Sequence, residues 1–253
     1  MTMLSEISAE GLSERDQKRI DFYMNMGMLK GAMLVKGLQG GGKTTWGVHL
    51  AWWRRHYFGF PVVSNVLLRE EFGDYTYIDS KKLVEEFRKV NVVIEEEVKR
   101  LTKARKEGRE RLLAEASEEI WKKSGCNLYR ATVLIDEGYE EFERRRGMSP
   151  KVLLNGYLVQ MWRHYQSLIV VLSSSQELVD RKRLLPFITH EVLCSFDSRT
   201  LQATYEIWFK RAAVVKGKNP AYWQIYVPNY GGVIFDSDAP VGVPEELLRS
   251  VLK

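Results

Sequence analysis

The sequence predicts an α/β fold: a mostly parallel central sheet with helices on both faces and a charged helical insertion. Three observations predict it. The apolar run 32–36 stops at Gly37-Leu38-Gln39-Gly40-Gly41-Gly42-Lys43-Thr44-Thr45, which opens an apolar-rich helical pattern through Trp46, Val48, Leu50, Ala51 and Trp52. A second run, 131–135, ends in Asp136-Glu137, and a third, 168–172, ends in Ser173-Ser174-Ser175-Gln176. Short apolar runs with polar groups only at their carboxyl ends are the pattern of parallel strands buried on both faces.

The remaining elements follow in chain order. Residues 1–30 form a polar, partly helical arm. Residues 60–68 (FPVVSNVLL) and 75–78 read as strands, and Asp79 or Ser80 caps a helix beginning near Lys81. From 81 to 125 charges of both signs alternate around Val98, Leu101, Leu112 and Ile120, which predicts a solvated helical insertion broken near Gly108. Residues 150–165 carry a helical pattern, and 191–196, 204–209 and 221–227 are further strands. The organisation is then a 1–30 arm, a 31–237 domain containing the insertion, and a 238–253 tail with a short helix after Pro244. No internal repeat is present.

Composition narrows the class. The chain has 253 residues, 45% of them hydrophobic and 28% charged, enough to bury a core without disulfides. Cys126 and Cys194 lie far apart with no Cys-x-x-Cys or Cys/His spacing, so they are expected as free thiols in a reducing, cytoplasmic setting, with no zinc site. No stretch of 18 apolar residues predicts a membrane span, and residues 1–20 lack the apolar segment of a signal peptide. The net charge of +5 permits contact with nucleic acid without demanding it.

The chemistry resides in the first two runs. Residues 37–44 match G-x-x-x-x-G-K-[ST] at every fixed position, between a strand and a helix. Glycines let several backbone N–H groups turn toward one anion, and the helix adds its positive N-terminal end. Residues 37–45 are therefore the expected phosphate cradle, with Lys43 reaching the β- and γ-phosphates of ATP and the Thr44 hydroxyl ligating Mg²⁺. Asp136, at a strand's carboxyl end, is expected to hold the same Mg²⁺ opposite Thr44, and Glu137 to orient and deprotonate the attacking water. Gln176 is the first choice for sensing the γ-phosphate, with the adjacent serines second. Charge built up on the γ-phosphoryl group favours an arginine arriving from outside. Arg144, Arg145, Arg146, Arg163, Arg181 and Arg183 are candidates, with Arg183 and Arg163 leading; action across a subunit boundary would make the active form an oligomer. A GTPase is disfavoured because no Asn-Lys-x-Asp segment is present.

The succession VKGLQGGGKTT, FPVVSNVLL with YTYIDS, TVLIDE, WRHYQS, LIVVLSSSQ and VDRKRLLPF resembles the zonula occludens toxin-like (Zot-like) branch of the FtsK–HerA superfamily of P-loop ATPases, viral genome-packaging type. Asp180 to Arg183 approximates that branch's D-x-x-x-R segment, and Phe235-Asp236-Ser237 resembles a late aromatic-D-T element. The resemblance covers about residues 31–237. It implies a RecA-like core, a homo-oligomeric ring around double-stranded DNA with an arginine supplied in trans, and a motor that works with a capsid or portal component. By the same resemblance, an Asp-Glu pair separates hydrolytic motors from nucleotide kinases and most GTPase switches. The chain departs from filamentous-phage members, which carry a membrane span, and this directs the expectation to a viral or plasmid DNA-packaging motor. A DnaA- or helicase-loader-like replication ATPase and a non-hydrolysing ATP-binding scaffold are the alternatives. The first would call for a dedicated DNA-binding domain such as a helix-turn-helix, which is not evident, and the second would have no use for Glu137.

Overall fold

A computed structural model describes residues 24–25, 27–79, 82–83, 85–86, 89, 123–136, 166–174, 185–197, 199, 202–209 and 222–227, with Gln202, Phe209 and 222–227 described by backbone alone. Residues 1–23 of the expected 1–30 arm, most of the 81–125 insertion, the 150–165 helix and the 238–253 tail lie outside the described residues.

Alternating and fully apolar runs produce eight strands: β1 Gly31–Lys36, β2 Val62–Ser64, β3 Thr76–Tyr77, β4 Thr132–Ile135, β5 Leu168–Ser173, β6 His190–Asp197, β7 Gln202–Phe209 and β8 Tyr222–Val227. They form one sheet in the order β3-β2-β4-β5-β1-β6-β7-β8. The pairs from β3 through β6 are parallel, and β6-β7 and β7-β8 are antiparallel. The mostly parallel α/β architecture expected from the sequence is therefore observed. Register aligns the carboxyl ends: Lys36 at the end of β1 faces Ser173 of β5, and Ile135 at the end of β4 faces Val171.

Side chains alternate across the sheet, so each central strand feeds two cores. Met33, Val35, Leu134, Leu168, Val170 and Leu172 share one face with Trp46, Val48, Leu50 and Ala51 of helix α1 (Lys43–Phe58). Ala32, Leu34, Val133, Ile135, Ile169 and Val171 share the other with Leu83, Cys126, Leu128 and Ile188. Helix α1 lies close to the sheet because residue 47 is glycine: a Cβ there would come within 2.6 Å of the Leu134 side chain. Arg54, 1% exposed, joins three segments. It donates to Thr132 Oγ1 at 2.7 Å, to the Leu29 carbonyl at 2.9 Å and to the Gly27 carbonyl, and lies over the Phe60 ring. Burial lowers its pKa to about 9, which leaves the guanidinium charged at neutral pH.

Two differences from the sequence reading have local causes. The strand expected over 60–68 is confined to Val62–Ser64, because the Ser64 hydroxyl accepts the Val66 N–H at 2.9 Å and turns the chain. Asp79 is the helix cap, accepting the Lys82 N–H at 2.8 Å, but the helix it starts is not solvated throughout. Leu83 enters the second core, and Glu86, 6% exposed, accepts the Asn127 N–H at 2.7 Å.

His49 of α1 makes a pH-dependent prediction. It is 6% exposed, and burial pushes its pKa down from 6.5 to about 4. As pH falls below 6.5 the unfolded chain binds the proton first, so stability is full at neutral pH and is lost between pH 6.5 and about 4. The shift corresponds to about 3 kcal/mol. Urea denaturation at neutral pH and near pH 4 should show that His49→Gln removes roughly that much of the acid sensitivity. A wild-type pH slope in the variant would place the titrating group elsewhere.

Candidate active site

The phosphate loop is the connection between β1 and α1. Its geometry explains its composition. Gly42, the residue before α1, has φ 86° and ψ 16°, a left-handed conformation that favours glycine. A Cβ there would also approach the Tyr205 hydroxyl to 2.7 Å. That hydroxyl donates to the Gly42 carbonyl at 3.0 Å, and the same carbonyl accepts the Trp46 N–H at 2.9 Å, the first turn of the helix. Tyr205 in turn stacks on Trp46 with ring centroids 5.1 Å apart. The β6-β7 hairpin thus supports the loop from one side, with the Tyr205 phenol held protonated because burial raises its pKa.

Lys43 folds back over the loop, donating from Nζ to the Gly37 carbonyl at 3.1 Å and the Leu38 carbonyl at 3.0 Å. Leu38, Gln39 and Gly40 form the exposed crest, whereas Gly41 and Thr45 are buried. Thr44, in the first turn of α1, donates its hydroxyl to Asp136 Oδ2 at 2.7 Å. The two residues are separated by 92 positions and meet because β4 and β1 flank β5 in parallel. This crevice lies at the carboxyl ends of the central strands, where parallel α/β sheets bind ligands.

The donor set fits magnesium. A threonine hydroxyl and an aspartate carboxylate are hard oxygen ligands, and Mg²⁺ keeps waters and phosphate oxygens in its other positions. Among the described residues no group of three or more His, Cys, Asp or Glu could hold a metal ion. Burial pushes the Cys126 and Cys194 thiols up to about 12, so neither is a thiolate at neutral pH.

The structure therefore brings together Lys43, Thr44, Asp136 and the glycines of the loop. Ser173 is buried at the end of β5 and Ser174 is exposed just beyond it. Glu137, Gln176, Arg163 and Arg183, with the other candidate arginines, lie outside the described residues. Two residues emerge to which the sequence reading assigned no role. Tyr205 looked like an ordinary strand residue. Asn65 pairs with Asp136 through both of its amide atoms, donating from Nδ2 to the Asp136 carbonyl at 3.0 Å and accepting the Asp136 N–H at 2.7 Å. The available signal was a carboxamide at the carboxyl end of a parallel strand.

No family model matches the chain, and no curated protein matches it. Among solved structures it is similar to the N-terminal domain of zonular occludens toxin from Neisseria meningitidis, at 18% identity and TM-score 0.48, covering 82% of this chain and 100% of that one. It is also similar to the genome packaging NTPase B204 from Sulfolobus turreted icosahedral virus 2, at 9% identity and TM-score 0.47, covering 79% and 98%. A KaiC-like protein from Pyrococcus horikoshii follows at 11% identity and TM-score 0.38, covering 78% and 89%. The groups named by the motif resemblance are thus represented among these structures.

The backing of the phosphate loop is testable. Gly42→Ala should abolish binding of a fluorescent ATP analogue, since the added methyl group meets both a hydroxyl and a left-handed backbone, the latter costing about 1–2 kcal/mol. Tyr205→Phe should bind the analogue more weakly and lose about 1 kcal/mol of stability. Gly42→Ala binding at wild-type strength would show that the loop opens away from β7.

Proposed function

We propose that this chain is a Mg²⁺-dependent ATP hydrolase that moves double-stranded DNA, a viral or plasmid genome-packaging motor. The observation that carries the hydrolase reading is the 2.7 Å contact between Thr44 and Asp136 beside the phosphate loop. Two hard oxygens within hydrogen-bond distance, one of them in the first turn of α1 directly after Lys43, support a site for the magnesium of a nucleoside triphosphate. Within this reading Glu137, the next residue after Asp136, activates water, Gln176 senses the γ-phosphate, and Arg183 or Arg163 of a neighbouring subunit neutralises charge in the transition state.

The assignment to DNA draws on the motif resemblance and on the basic excess of the chain. Basic residues at 99–111 and 210–218 are the proposed DNA side, contacting mostly phosphate and therefore indifferent to base sequence. A ring of identical subunits and a capsid or portal component are the proposed partners. No helix among the described residues is long and apolar enough to cross a membrane.

Steady-state ATP hydrolysis with and without long double-stranded DNA tests this reading. DNA should stimulate turnover, Lys43→Ala should abolish it, and Glu137→Gln should bind ATP while losing turnover by at least about 100-fold. Turnover indifferent to DNA would sink the motor assignment, and full activity in Glu137→Gln would reassign the base. DNA affinity should also fall steeply with salt, with log K linear in log salt concentration. Salt-independent binding would rule out a phosphate-tracking surface.

A further inference from the structure

β2 and β4 run in parallel register only as far as Ser64 and Leu134, after which the Asn65 N–H donates to the Leu134 carbonyl at 3.2 Å. Beyond that point the β2 backbone turns away, held by the Ser64 hydroxyl on the Val66 N–H. A parallel ladder ending there would leave the Asp136 peptide groups without their next partner. The Asn65 side chain supplies it. A carboxamide has the donor and acceptor of a peptide group, and here each finds its complement on the residue just beyond β4: Nδ2 meets the Asp136 carbonyl at 3.0 Å, and Oδ1 meets the Asp136 N–H at 2.7 Å. Asn65 is 6% exposed and Asp136 9%, so neither bond is readily replaced by water.

Building on the ATPase reading above, we infer that Asn65 is the positioning residue of the magnesium-binding aspartate. Its carboxamide fixes the Asp136 backbone from both sides, and the Asp136 carboxylate is thereby held at the Thr44 hydroxyl. The carbonyl it holds belongs to the peptide bond that joins Asp136 to Glu137, so the Asn65 side chain, one residue beyond β2, restrains that peptide bond. The chemistry is specific to asparagine. Aspartate keeps the acceptor for the N–H but loses the donor to the carbonyl, and places a negative charge against a carbonyl oxygen. Serine is too short to span both groups, glutamine overshoots by one methylene, and alanine removes both bonds. Asn65 touches neither phosphate nor cation in this role; it acts through Asp136, as outer-shell partners of metal ligands do.

The test compares wild type with Asn65→Ala and Asn65→Asp, and with Ile188→Ala as a core substitution that lowers stability away from the site. Three quantities are measured: affinity for a fluorescent ATP analogue with and without Mg²⁺, the Mg²⁺ concentration that half-saturates turnover, and amide hydrogen exchange over residues 132–137 in the nucleotide-free protein. Both Asn65 variants should retain Mg²⁺-free nucleotide affinity while requiring about 10–100-fold more Mg²⁺. Exchange at Asp136 should accelerate in Asn65→Ala. Ile188→Ala should leave the Mg²⁺ requirement unchanged. Should Asn65→Ala fail to fold, the isosteric Asn65→Asp carries the test by itself. A wild-type Mg²⁺ requirement in the folded Asn65 variants overturns the role given to Asn65. A wild-type protein that binds no ATP with or without Mg²⁺ overturns the ATPase reading itself.

Discussion

The parallel ladder that places β5 between β1 and β4 is the constraint on which the rest depends. Parallel strands must point the same way, so their carboxyl ends open at one edge of the sheet. The register then brings the chain after Lys36 and the chain after Ile135 to nearly the same level. Thr44, carried by the first turn of α1, can reach Asp136 only because both strands end together. The strands are held in that register by apolar side chains on two faces, with Gly47 letting α1 lie against Leu134. The site's accuracy is thus a consequence of packing far beneath it, and a register slip of one residue would send every core side chain to the opposite face.

The polar groups around the crevice share a second property: each meets a partner remote in the chain. Tyr205 gives the Gly42 carbonyl an additional donor where the loop meets the helix. Asn65 continues a ladder that its own strand has left. Thr44 and Asp136 satisfy each other across the space that phosphate and cation chemistry would fill. Each of these groups is buried or partly buried, so an absent partner would cost more than the bond contributes. The crevice is therefore preorganised by hydrogen bonds that serve folding as well as chemistry.

Much of this was legible in the chain itself. The glycine pattern, the Lys-Thr after it and the acid at the end of an apolar run pointed to Lys43, Thr44 and Asp136, and the fold brings Thr44 and Asp136 into contact. Strand positions were legible for β1, β4 and β5, whose apolar runs are bounded by polar residues. The extent of β2 was not, because its end is set by a side-chain hydrogen bond from Ser64 rather than by a change in hydrophobicity. The 81–125 charge pattern read as solvent-facing throughout, yet Leu83 and Glu86 are buried near its start. Charge alternation averages over a segment, whereas burial is decided residue by residue by what lies opposite.

By itself, the sequence determined the glycine-rich loop between a strand and a helix, the lysine and threonine that follow it, and the parallel α/β class. Those follow from local rules of backbone freedom, helix initiation and apolar periodicity. Only the tertiary structure decided which distant residues complete the site. Tyr205 carries no local signature of its contact, and Asn65 only that of a carboxamide at a strand's end, since each bonds a residue remote in the chain: Gly42 across 163 positions and Asp136 across 71. Their functions arise from strand order and register, which are settled by how the whole sheet packs and not by any segment of it.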